Sequence, residues 1–214
     1  MIRSIYPTNI LVKQLTITDE VLSSIFVYLK AQHLSFLLDD SNDLIEYNSG
    51  NENILYDAIE KGQCSEMGAL VQEVKDAFID LAYSNIKNYT ETNSENTNLD
   101  VEIQSCRINI VKPNNRMPIH SHFGDDAHAC LYFENLEEKE GGQLVMYDPR
   151  WQRNYWFGGS KLEKITPKKG MLVVAPDYIW HEVSEYKGNK DRYTLVFNAR
   201  VFNNKLKKTN GFNN

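Results

Sequence analysis

Cysteine is scarce: Cys64, Cys106 and Cys130 are the only three in 214 residues, and no two have metal-like spacing. That excludes a disulfide framework and fits a reducing compartment, with each thiol read as a small buried apolar residue. Long apolar runs are missing too. None approaches the roughly 20 residues that span a bilayer, so no membrane partner is expected. The opening stretch MIRSIYPTNILVKQL has neither an apolar core nor a small-residue cleavage site, which makes the cytoplasm the expected location. Positive charge is sparse as well. The formal net charge is −6, and the one basic cluster is Lys205, Lys207 and Lys208 in the tail. A nucleic-acid partner needs a basic face to neutralise phosphates, and none is expected here.

What is present suits a folded chain with a full core. Hydrophobic residues make up 42% and charged residues 24%, ordinary for one globular domain spanning 1–214. Two segments read as helices. Thr18 caps a run with Asp19 and Glu20 in its first turn and Val21, Leu22, Ile25, Phe26 and Leu29 at helical spacing. Ser65 caps a longer run that places Leu70, Val71, Val74, Phe78 and Leu81 on one face. Between them, residues 39–53 are rich in turn formers and read as a surface excursion. The polar stretch 90–98 then marks a change of texture.

From there the pattern is strand. The runs LDVEIQSCRINIVK, AHACLYF, GQLVMYD, MLVVAP and RYTLVFNARVF are β-branched or aromatic and are separated by turn residues. RYTLVFN is expected to run antiparallel beside MLVVA. The predicted fold class is α+β: a double-stranded β-helix, or jelly roll, over 99–203, supported by a mainly helical layer over 1–98 and followed by a polar tail over 204–214.

Histidine placement carries the chemical signal. His120 and His122 are two apart, so in extended chain their imidazoles fall on one side. His181 follows a buried strand that ends at Pro176, and a short loop is expected to present it. Three protein ligands with open positions are what a catalytic metal needs. The plain alternative is a chance His-x-His pair on a surface strand; the strand–Pro–aromatic–His element some sixty residues later argues against it. His33, at a helix end, reads as structural or exposed. His128 shares strand parity with Cys130 and Tyr132 and is a candidate support or substrate contact. Arg192 opens the last strand, and a buried guanidinium requires an anion. A salt bridge to Asp191 would satisfy it, but so would a dicarboxylate whose other end chelates the metal.

Taken together, these residues resemble the Fe(II)/2-oxoglutarate-dependent dioxygenases. The resemblance is carried by His120-Ser-His122 with Leu131-Tyr132-Phe133, then GGQLVMYDPR (141–150), GMLVVAPDYIWH (170–181) and RYTLVFN (192–198), and it covers roughly residues 101 to 202. It implies His120 and His181 as iron ligands, Arg192 and Tyr132 on the far carboxylate of 2-oxoglutarate, and Asn198 lining the pocket. The implied activity is hydroxylation of a small-molecule or peptidyl substrate by O2, with 2-oxoglutarate decarboxylated to succinate.

One departure stands out. His122 occupies the position where the family carries a carboxylate. Either three histidines hold the metal, or Asp125 or Asp126 reaches in from the loop; residues two apart share a face, which favours His122. Two other readings remain. A cupin of another kind could use His120, His122, Asp126 and His181, and an inactive jelly roll could keep the fold alone. Trp151, Tyr155, Trp156 and Phe157 before Gly158-Gly159 suggest either a packed hairpin or a flap hinged on the glycines, with Trp156 near the substrate. The substrate and the oligomeric state are not written in the sequence.

Overall fold

In a computed structural model, the structure describes residues 8–36, 58, 64, 66–89, 98–149 and 162–203. Residues 39–53, Ser65, the aromatic stretch 151–159 and the tail 204–214 lie outside the described residues, and with them the excursion, the second helix cap and the flap. The elements in chain order are β1 (Leu11–Gln14), α1 (Asp19–Phe36), α2 (Met67–Tyr89), β2 (Leu99–Val111), β3 (Asn115–His120), β4 (Ala127–Tyr132), β5 (Leu144–Tyr147), β6 (Leu162–Ile165), β7 (Met171–Pro176), β8 (His181–Tyr186) and β9 (Arg192–Asn203).

Both helices stand where the apolar periodicity puts them. Thr18 opens α1: its hydroxyl accepts from the Val21 amide at 3.4 Å, while its carbonyl accepts from Leu22 at 3.0 Å. Leu22, Ile25 and Leu29 of α1 join Leu70, Val74, Phe78 and Leu81 of α2 in one core. That core lies against the outward side chains of a five-stranded sheet, among them Cys106, Ile108 and Ile110 of β2 and Ala129 and Leu131 of β4. Phe26 stacks on Phe133 at 4.9 Å and meets Tyr193 edge-on at 5.2 Å. Burying side chains of this size is worth about 1.5–3 kcal/mol each, enough to fasten the helical layer to the sheet.

The strands form two antiparallel sheets, ordered β1-β7-β4-β9-β2 and β3-β8-β5-β6. This is the double-stranded β-helix expected from the strand pattern. A second core fills the space between the sheets, where Cys130, Val173 and Val196 of the larger sheet meet Leu144 and Met146 of the smaller.

One expectation is corrected. β9 does not pair with β7; both pair with β4, which lies between them. The segment before α1 also contributes a strand that the sequence did not show, Leu11–Gln14 at the edge of the larger sheet. Four residues are too few for a period to be read.

The turn before β5 shows why the Gly-Gly pair stands there. Gly141 has φ +66°, and a Cβ on it would strike the carbonyl of Glu185. Gly142, at φ +65°, has Tyr186 and the Arg192 stem where its own Cβ would be. Backbone that must pass this close to a neighbour at positive φ selects glycine.

Candidate metal centre

Register decides the centre. β3 ends on His120 and β8 begins on His181, and the two are cross-strand partners. His181 is therefore held by a strand on both sides, with Met146 of β5 opposite it on the other edge, rather than by a loop. His122 follows two residues after His120, and its backbone amide donates to the Asp177 carbonyl at 3.2 Å. One potential ligand atom from each of His120, His122 and His181 lies within 4.8 Å of the others. Two stretches sixty residues apart thus converge on one point.

Backbone carbonyls orient two of the rings. His120 Nδ1 lies 2.8 Å from the Pro118 carbonyl, and His181 Nδ1 lies 3.0 Å from the Ile179 carbonyl. A carbonyl can only accept, so each Nδ1 is the protonated nitrogen and each Nε2 keeps its lone pair. Burial, with the neighbouring His181 and His120 and with Arg107, pushes the His122 imidazole down to about 3, opposed by the nearby Asn198 side chain, which favours the charged form. Burial and His120 push His181 down to about 4. Both are neutral near pH 7, the state a metal requires.

His128 completes the cluster. It is fully buried, and its ring lies 4.5 Å from those of both His122 and His181, nearly parallel to each. Neither of its nitrogens has a hydrogen-bond partner. Burial holds it well below the usual histidine range.

No carboxylate joins the three imidazoles among the described residues. Asp126 is engaged elsewhere, its Oδ2 accepting from the Val201 amide at 2.8 Å. Asp125 is half-buried by the loop after His122, which raises its carboxyl, and it is not part of the cluster. Beside the centre, Phe123 and Trp180 meet edge-on at 5.9 Å and remain exposed.

Below the histidines lies a cavity lined by Asn109, Met117, Cys130, Tyr132, Leu144, Arg192 and Thr194. Parity along the strands selects these side chains. On β4, His128, Cys130 and Tyr132 turn inward; opposite them on β9 stand Asn198, Val196 and Thr194. At the closed end Arg192 is 3% exposed. One nitrogen donates to the Thr194 hydroxyl at 2.8 Å, whereas Nε and Nη2 have no acceptor. The guanidinium lies 5.3 Å from the Tyr132 ring, whose buried hydroxyl also completes no hydrogen bond of good geometry. Burial pushes the Tyr132 hydroxyl up and the Arg192 guanidinium down. The alternative, a salt bridge to Asp191, is not among the ion pairs of the described residues. Asn198 donates to Ser105 at 3.1 Å and leaves its own carbonyl oxygen unpaired.

Residues 107–200 match the family model of the 2OG-Fe(II) oxygenase superfamily. Solved oxygenase structures share the fold at low identity. A prolyl-4-hydroxylase from Pseudomonas putida is 16% identical, with 90% of this chain covering 92% of that one at a TM-score of 0.54. A prolyl hydroxylase from Trichoplax adhaerens, in complex with a hypoxia inducible factor peptide fragment, is 14% identical over 94% of this chain and 87% of that one, at 0.58. HygX from Streptomyces hygroscopicus, with nickel and 2-oxoglutarate bound, is 11% identical over 90% and 83%, at 0.56. No curated protein matches the chain. Among the described residues, no helix is long and apolar enough to cross a membrane.

Sequence reasoning named the three clustered histidines, Tyr132, Arg192, Asn198 and His128, and the structure brings them together around one interior. It missed Thr194 and Asn109. Thr194 was open to the parity argument that linked Asn198 to Arg192, because it lies two residues from Arg192 on the same strand, whereas no inward residue of β2 had been named from which Asn109 could be placed. The side chain of His33 and the whole of Trp156 lie outside the described residues.

Proposed function

We propose that this protein is an Fe(II)- and 2-oxoglutarate-dependent oxygenase that hydroxylates a small-molecule or peptidyl substrate, with His120, His122 and His181 as metal ligands. The observation that carries the reading is the unmet demand of the buried groups. Three imidazoles face one point, and at the far end of the same cavity two nitrogens of a buried guanidinium and a buried phenol hydroxyl lack a hydrogen-bond partner. A dicarboxylate that chelates the metal with one end and meets Arg192 and Tyr132 with the other satisfies both ends at once. Related folds with nickel, 2-oxoglutarate or iron bound support the choice of ligands.

When bound, iron with 2-oxoglutarate supplies the oxidising chemistry: one O2, one 2-oxoglutarate and one substrate C–H become succinate, CO2 and C–OH. This chain's residues bind, orient and exclude water. Arg192, fixed by Thr194, sets the depth and direction of the co-substrate. The Pro118 and Ile179 carbonyls hold two imidazoles in the ligating tautomer. Cys130, Val173 and Val196 keep the interior dry, which strengthens each charged contact within it.

With a neutral imidazole in place of a carboxylate, the ligand set lacks one negative charge. That difference supports a second reading, a jelly roll that binds metal without turnover. One experiment separates them: anaerobic titration of the protein with Fe(II) and then 2-oxoglutarate, watching for the weak visible charge-transfer band of the chelate, followed by admission of O2. Band formation and succinate release support the oxygenase. A band without succinate supports the inactive barrel, and no band at all overturns the oxygenase.

A further inference from the structure

We infer that the substrate of this site carries an anionic group, a carboxylate or a phosphate or sulfate ester, and that Arg107 receives it. The inference rests on the proposed iron and 2-oxoglutarate reading and extends it to the substrate.

Arg107 lies on the inward face of β2. Its neighbours Cys106 and Ile108 turn outward into the core beneath the helices, while Asn109, two residues on, lines the cavity. Across the sheet Arg107 pairs with Val196, which pairs in turn with Cys130, and both of those line the cavity. The row above holds Ser105, Asn198 and His128; the row below holds Asn109, Thr194 and Tyr132. Arg107 therefore sits between the level of the histidines and that of Arg192. It is close enough to His122 and Cys130 for its charge to lower both groups' affinity for protons.

Arg107 is half-buried, its Nε is buried without an acceptor, and none of the ion pairs among the described residues includes it. Asp125 feels its charge but makes no ion pair with it. A charged side chain on this inward face whose buried Nε has no acceptor is available to an anion that the chain does not provide.

Charge balance gives the second argument. A divalent metal and Arg192 together exceed the two negative charges of 2-oxoglutarate. A carboxylate ligand would cancel the excess, but His122 stands in its place. Arg107 increases the excess, and no acidic side chain lines the cavity among the described residues. A neutral or cationic substrate would meet an uncompensated positive interior, whereas an anionic one is drawn in and held.

The test uses protein loaded with Zn(II) in place of iron and saturated with 2-oxoglutarate, so that the metal and Arg192 are both occupied. Inorganic sulfate is then titrated while the backbone amide resonances of Asn109 and Val196 are followed by NMR. Saturable shifts at millimolar sulfate are expected, weakened at least tenfold in Arg107→Gln and retained in part in Arg107→Lys, with 2-oxoglutarate affinity changed by less than threefold. Absent shifts, shifts indifferent to Arg107→Gln, or an equal loss of 2-oxoglutarate affinity in that variant would each overturn the inference. Melting curves show whether Arg107→Gln is folded; if it is not, the comparison of wild type with Arg107→Lys decides, and identical sulfate binding in the presence and absence of 2-oxoglutarate would also count against it. A wild-type protein that binds no 2-oxoglutarate fails at an earlier step, removing the parent reading and this one with it.

Discussion

His120 and His181 are cross-strand partners with ring centroids 4.4 Å apart, so the hydrogen-bond register of β3 against β8 is what creates the centre. The two rings need no loop to bring them together. Loss of either ring should cost metal affinity more than the roughly 100-fold seen when only a supporting partner is removed. Equilibrium dialysis of His120→Ala and His181→Ala against Fe(II) or Zn(II) measures it; near-stoichiometric binding in either variant would remove that residue from the ligand set.

His122 offers a sharper test of the ligand triad. His122→Asp restores an anionic donor at the same position, and it should tighten Fe(II) binding while leaving the 2-oxoglutarate band in place. Weaker metal binding in this variant would mean that the imidazole, not the position, is what the site requires.

Acid should unfold the metal-free protein through these histidines. His122 and His181 titrate near 3 and 4 in the folded chain, against an ordinary value of 6.5. The unfolded chain therefore binds more protons between those values, and stability is full above about pH 6.5 and falls as pH drops toward 4 and then 3. Each pH unit of separation is worth at most ~1.4 kcal/mol per histidine. Urea melts from pH 7 to pH 4 should show the decline, and His122→Gln should flatten it.

His128 presents two unpaired nitrogens to a dry interior. His128→Leu removes that cost and should leave the metal-free protein as stable or more so, by about 1–3 kcal/mol. The same change withdraws the ring packed against His122 and His181, so metal affinity should fall about tenfold, as for the loss of a supporting partner. A destabilised metal-free protein with unchanged metal affinity would make His128 an ordinary core residue.

Arg192→Met keeps the stem and removes the fork. If Arg192 holds the co-substrate, 2-oxoglutarate affinity should drop by a factor of about 30 or more, the usual cost of truncating one side of a buried charged pair. Binding of the metal alone should hardly change, because the guanidinium lies at the opposite end of the cavity. Equal loss of both affinities would indicate a general collapse of the barrel instead.

Much of this was legible along the chain. The spacing of Leu22, Ile25 and Leu29 marks α1, and the alternation through His128, Cys130 and Tyr132 correctly places three side chains on one face. Local periodicity encodes such facts because it depends only on the geometry of a single element. β1, β3, β6 and β8 gave no such signal. They are short and partly polar, and β3 contains a proline; partners on neighbouring strands hold them extended, not their own composition.

The sequence by itself determined the residue types: histidines two apart, an arginine without an obvious acid, and a histidine where a carboxylate is expected. Only the tertiary structure decided who meets whom. Pairing register set His120 beside His181, stacked His128 behind them, and turned Arg107 inward, because contacts between strands distant in sequence are fixed by the burial of both sheet faces and not by any property of the segments alone.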